Sequence, residues 1–114
     1  MSITVGDLKG SFAVAFTPFF ENGDIDYEQF ELQIKELSQV ADGIVLYGMT
    51  SEYHKTTDAE KEVLTEIFLR TLRNSPCISV LSVTDWSTDV AVKRAQHYEQ
   101  LGVDALMLMP PFYY

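Results

Sequence analysis

Apolar and polar positions fall in blocks along this chain, and the blocks alternate between two periods. Ser11-Phe12-Ala13-Val14-Ala15-Phe16 is a short apolar run that predicts a strand, closed by Thr17-Pro18-Phe19-Phe20 and by turn chemistry at Glu21-Asn22-Gly23-Asp24. Tyr27, Phe30, Ile34 and Leu37 then recur at helical spacing, behind Asp26 as N-cap and Gln29 three residues on, as in a capping box. After Asp42-Gly43, the run Ile44-Val45-Leu46-Tyr47 is too apolar for a half-exposed strand and predicts one buried on both faces. Thr57-Asp58-Ala59-Glu60 is a capping box for a second helix, whose apolar face would be Val63, Leu64, Ile67, Phe68 and Leu72. Asn74-Ser75-Pro76 breaks that helix, and Cys77 to Val83 reads as a third strand.

The alternation continues to the end of the chain. Ser87 or Thr88 can cap a third helix with Ala91, Val92, Ala95, Tyr98 and Leu101 facing inward and Gly102 as C-cap. Ala105 to Met109 then reads as a fourth buried strand. The order βαβαβαβ predicts a parallel α/β sheet with right-handed crossovers in one domain, residues 1–114. Barrel and open sheet are not separable by periodicity. No Gly-x-Gly-x-x-Gly follows the first strand, which counts against a dinucleotide fold. A flavodoxin-like sheet would call for a fifth strand and a topological switch, and neither is visible. A complete (βα)₈ barrel needs about 250 residues, so four strands correspond to half of one.

Charge and composition narrow the partners. Eight basic and seventeen acidic side chains give a net charge of −9 with no local basic patch, which disfavours nucleic acid and anionic membranes. No apolar run reaches the roughly 20 residues of a membrane helix, and Met1 to Asp7 lacks a secretory pattern. The single cysteine, Cys77, sits in an apolar run as a small buried hydrophobe and fits a reducing, cytoplasmic setting. No set of His, Cys, Asp and Glu has metal-ligand spacing.

Candidate chemistry concentrates after the second strand, in Gly48-Met49-Thr50-Ser51-Glu52. A small, hydroxyl-bearing turn there can hold an anionic substrate. Thr17-Pro18-Phe19, Gly23-Asp24-Ile25-Asp26, Asp42-Gly43, the 48–52 turn, the Thr57-to-Glu60 cap, Gly102-Val103-Asp104-Ala105 and Pro111-Phe112-Tyr113-Tyr114 fall in order. Together they resemble the N-terminal half of the dihydrodipicolinate synthase / N-acetylneuraminate lyase family of class I aldolases. The resemblance implies a TIM barrel that binds pyruvate or another 2-oxo acid as a Schiff base on a lysine, with no metal and no cofactor.

Within that resemblance, Thr50 matches the hydroxyl that, with the backbone of Gly48, Met49 and Ser51, holds the substrate carboxylate. Tyr114 matches a tyrosine of a proton relay shared between subunits, which implies a homo-oligomer; Tyr113 is assigned to packing. Glu52 orients the loop. Two residues depart from the family pattern. Met49 replaces a relay hydroxyl, and Ser51 replaces a glycine at a position where positive φ or close ligand approach is expected. The Schiff-base lysine of the family belongs to a later strand. Of Lys9, Lys35, Lys55, Lys61 and Lys93, only Lys55 is expected on the catalytic face, charged beside Glu52 and Asp58; Lys35, Lys61 and Lys93 are expected to point outward from helices. His54 in the same loop is a surface residue or a polar contact, His97 is structural, and Asp85-Trp86 faces the mouth. The expectation is a chain inactive by itself, or else a non-catalytic assembly module whose open edges self-associate or pair with a complementary chain.

Overall fold

A computed structural model of the chain describes residues 3–110. Four parallel strands lie in the order β1-β2-β3-β4, each neighbour in sequence also a neighbour in space. They are β1 (Phe12–Val14), β2 (Gly43–Leu46), β3 (Ile78–Ser82) and β4 (Ala105–Met107), with α1 (Tyr27–Leu37), α2 (Asp58–Leu72) and α3 (Thr88–Leu101) as crossovers. The register aligns Val14, Val45, Val80 and Ala105 in one row and Leu46, Leu81 and Leu106 in the next. Adjacent rows face opposite sides of a sheet. Ile44, Leu46 and Leu81 belong to the main core with Phe30, Ile34, Leu64, Phe68, Leu72 and Tyr98 from the helices.

Local signals hold where they depend on neighbours in sequence. The Asp26 carboxylate accepts from the Gln29 N–H at 3.1 Å and starts α1. Thr57 and Glu60 form both bonds of the capping box at the start of α2, Ser87 caps α3, and Gly102 ends it in the left-handed region at φ 91°. β2 is buried throughout, as its composition requires. Cys77 is buried, and burial together with Asp42 and Asp104 pushes its thiol pKa up.

Four expectations fail for packing reasons. β1 is only three residues long because its pairing with β2 stops after the Ala15 N–H, the Ala15 carbonyl being taken by the Ser51 hydroxyl, and Phe16 pairs through both its N–H and its C=O with the Gln33 amide of α1. β4 is not buried: it is an outer strand, and Leu106 on it and Leu108 beyond it are 42% and 67% exposed. Val63 is exposed because the buried stripe of α2 runs through Lys61, Leu64, Thr65, Phe68 and Leu72 instead, and Val92 and Leu101 are exposed on α3, where Tyr98 is the buried residue. Lys61 points inward and is 8% exposed, whereas Lys35 on α1 makes an exposed i,i+4 pair with Glu31 at 3.1 Å. No helix among the described residues is long and apolar enough to cross a membrane.

Candidate functional site

The candidate loop begins where β2 ends. Tyr47 adopts φ 71°, a left-handed conformation unusual for an aromatic residue, and this turns the chain out of the sheet. Its ring compensates by burial. The Tyr47 hydroxyl donates to the Lys61 carbonyl at 2.8 Å and accepts from the Thr65 hydroxyl at 2.7 Å, and the ring stacks on Tyr98 with centroids 6.4 Å apart. Burial raises the Tyr47 pKa far above that of an ordinary phenol, so it is neutral. Gly48 follows beneath β1. A Cβ there would lie 2.9 Å from Val14 Cγ1, so the Val14 side chain of β1 would have to shift to admit one.

Two single 3₁₀ turns, Met49–Ser51 and Tyr53–Lys55, then carry the loop to α2. The first amides of such a turn are not engaged by the turn's own carbonyls, and here they belong to Met49 and Thr50. The left-handed position expected at Ser51 lies instead at Glu52, φ 56°, between the two turns. Glu52 pairs with Lys55 at 3.1 Å on the surface, and His54 is exposed with its ring edge-on to Tyr53, centroids 5.8 Å apart.

Ser51 is fully buried and its hydroxyl replaces a rung of the sheet. The Ala15 N–H donates to Val45 O at 2.9 Å, so parallel pairing would next join Tyr47 N–H to Ala15 O. Instead Tyr47 N–H donates to Ser51 Oγ at 3.1 Å, and Ser51 Oγ donates to Ala15 O. The Thr17 hydroxyl adds a bond to the Ser51 carbonyl at 2.6 Å. The loop is therefore sewn to the end of β1 by one side chain and one carbonyl, and the Ser51 hydroxyl faces β1 rather than the mouth.

Met49 stands 47% exposed at the rim of a shallow cleft with Tyr53, Thr84, Asp85, Trp86, Met109 and Pro110. The cleft collects the carboxyl ends of three strands, where α/β sheets bind ligands. Thr84 accepts from Met109 N–H at 2.8 Å, and Asp85 is held by Arg94 at 3.0 Å. His97, expected to be structural, pairs with Glu62 at 3.1 Å on the outer helical face, away from the cleft. Lys61 was missed as a site-supporting residue: its Nζ donates to Tyr53 O and Thr56 O, both at 2.8 Å, and to Thr56 Oγ1 at 2.7 Å. The signal was present, since Lys61 lies one turn before Leu64 and Thr65 on the stripe that continues to Phe68 and Leu72. Tyr113 and Tyr114 lie outside the described residues. Among the described residues no group of three or more His, Cys, Asp or Glu could hold a metal ion.

Comparison with known proteins places this geometry. The model of the dihydrodipicolinate synthetase family matches residues 7–114. A 4-hydroxy-tetrahydrodipicolinate synthase from Bartonella bacilliformis is 33% identical over 107 residues, 93% of this chain and 36% of that protein. The crystal structure of dihydrodipicolinate synthase from Aquifex aeolicus superposes with a TM-score of 0.84 at 26% identity, over 93% of this chain and 36% of that one. N-acetylneuraminate lyase from Fusobacterium nucleatum shares the fold, with a TM-score of 0.82 at 24% identity over 96% of this chain and 38% of that one. The chain thus spans little more than a third of the length of the relatives it matches, and its sheet corresponds to the N-terminal part of their TIM barrel. On its sequence and its four-stranded fold alike, the chain belongs to the dihydrodipicolinate synthetase family.

Proposed function

We infer that this chain supplies the carboxylate-binding portion of a Schiff-base class I aldolase or lyase that acts on pyruvate or another 2-oxo acid. One observation carries the reading: Gly48 to Glu52 leave the carboxyl end of a fully buried parallel strand and reach the mouth as a tightly anchored turn. A carboxylate in a partly dry site needs several fixed donors. The amides of Met49 and Thr50 and the Thr50 hydroxyl are the donors assigned to it. Gly48 allows the close approach to β1, and Ser51 anchors the turn from behind. Met49 presents a thioether where a relay would need a hydroxyl, so proton transfer at this position is assigned to other groups, Tyr114 among them.

The nucleophilic lysine is assigned outside this chain. Lys55 is exposed and paired with Glu52, and Lys61 Nζ gives hydrogen bonds to three oxygens. An amine nucleophile must be neutral and free to attack. The isolated chain is therefore inactive in aldol cleavage or addition, and the whole site needs further chain. A ¹⁵N–¹H NMR titration with pyruvate tests the binding role. Shifts centred on Gly48 to Ser51, weakened by Thr50→Val, are expected; shifts elsewhere or none would refute it.

A second reading is favoured by the edges of the sheet. Val14 and Phe16 at one edge are 41% and 58% exposed, and Leu106 and Leu108 are exposed at the other. Edges of this kind pair or aggregate, so the chain self-associates or docks a complementary chain. A monomer by light scattering at tens of micromolar would refute this.

A further inference from the structure

We propose that Lys61 is a positioning residue that grips both ends of the 47–56 loop and so sets the placement of Gly48 to Ser51. The inference rests on the carboxylate-binding role assigned to that segment above. Its geometry is independent of that role. The Lys61 carbonyl accepts from the Tyr47 hydroxyl, just before Gly48, at 2.8 Å. Its Nζ donates to Tyr53 O, Thr56 O and Thr56 Oγ1, just after Glu52. A protonated lysine has three donors, and each has one oxygen here. The Nζ also lies 6.0 Å from the centroid of the Tyr47 ring. One residue therefore ties the chain before the turn to the chain after it.

A lysine is a costly choice for packing alone. It sits in the first turn of α2, where the helix dipole disfavours a cation, and it is buried to 8% exposure. Burial is the main cause that lowers its pKa, and the Arg94 guanidinium adds to it; Asp58, Glu60 and Asp85 act in the opposite direction. No carboxylate lies among the three acceptors of its Nζ. A methionine or leucine would fill the same space without a charge to desolvate. The three loop oxygens are what the ammonium gains, and each of them fixes the loop.

The test is hydrogen–deuterium exchange on the 114-residue chain, read residue by residue with NMR. Lys61→Met keeps length and removes every donor; Lys61→Gln keeps two donors on a shorter, neutral side chain. Exchange of the Glu52, Lys55 and Thr56 amides, which bond within the loop, should accelerate roughly tenfold to a hundredfold in Lys61→Met. Lys61→Gln should fall between it and the parent chain. Amides of Leu64 and Phe68 should change less than about twofold. Equal acceleration in loop and helix, or unchanged loop exchange, would overturn the proposal. In the parent chain, the Lys61 ammonium protons should give a resolved ¹⁵N-correlated signal protected from solvent, while those of Lys55 should not. An equally exposed Lys61 signal would overturn the proposal without any substitution. Pyruvate added to the same samples separates the two claims. Shifts at Gly48 to Ser51 in the parent chain that weaken in Lys61→Met and return in part with Lys61→Gln support both. Loop exchange that responds to Lys61 with no pyruvate shift in any sample supports the positioning role and refutes the carboxylate-binding one.

Discussion

Ser51→Ala removes a single buried oxygen, and its cost follows from the two groups that oxygen serves. The Ser51 hydroxyl accepts from Tyr47 N–H and donates to Ala15 O in a place with no solvent access. Without it, one backbone donor and one backbone acceptor are left unpaired, at about 1–3 kcal/mol each when buried. Partial relaxation of Tyr47 toward a direct rung recovers some of this, so about 3 kcal/mol is expected. That is a large share of the roughly 5–15 kcal/mol that stabilises a domain of this size, and it corresponds to a fall in Tm on the order of 10 °C. Ser51 is not in the left-handed region, so Ser51→Gly should be less stable than Ser51→Ala by a further ~0.5–1 kcal/mol. Urea unfolding followed by circular dichroism measures both. A Ser51→Ala chain within 0.5 kcal/mol of the parent, or a Ser51→Gly chain more stable than the parent, would refute the inserted-rung account.

Gly48→Ala drives a Cβ to 2.9 Å from Val14 Cγ1 and should cost about 1–3 kcal/mol; adding Val14→Ala should recover part of that in the same unfolding assay. Tyr47→Phe removes a hydroxyl between Lys61 O and Thr65 Oγ1 and should cost about 1 kcal/mol, because Thr65 can turn to the carbonyl four residues before it. The double variant Tyr47→Phe with Thr65→Val should then be no worse than the single one. Burial raises the pKa values of Tyr47 and Tyr98 above the usual phenol value of 10.0. Their protonated forms are favoured by folding, so stability is flat in these groups below pH 10 and declines above it, at up to about 1.4 kcal/mol per pH unit for each group. Unfolding midpoints measured from pH 8 to 11 should show that decline, and Tyr47→Phe should make it shallower. Cys77 should stay unreactive toward a thiol reagent at pH 8 until the chain is unfolded with urea; rapid labelling of the folded chain would contradict its burial.

The parts of the fold legible in the sequence were those governed by near neighbours. The Thr57–Glu60 box and Gly102 could be placed to the residue, and the α3 cap to Ser87 or Thr88, because capping is a matter of three or four positions. The parallel sheet followed from the block order, and the buried character of Ile44 to Leu46 from its unbroken apolar run. Burial on β4 and α3 did not follow, because it depends on what lies beyond the last strand rather than on the strand's own residues. The loop was found by its small and hydroxyl residues, yet its construction was not. Ser51 was read as a departure from glycine in the substrate-binding turn, and only the register of β1 against β2 reveals its hydroxyl as a rung. Lys61 was set aside as a surface lysine, because that is the ordinary fate of the residue type. Its place on the Leu64–Phe68–Leu72 stripe was the contrary signal.

On the proposed function, labour is divided: this chain presents the turn that holds a 2-oxo acid, and the lysine that would condense with it lies elsewhere. Incubation with pyruvate and borohydride, followed by intact-mass measurement, is the decisive test. An unmodified 12.9 kDa chain is expected, with Lys55 paired to Glu52 on the surface and Lys61 held by Tyr53 and Thr56. A single reduced pyruvate adduct, abolished by replacing one lysine, would contradict it and place the nucleophile within these 114 residues.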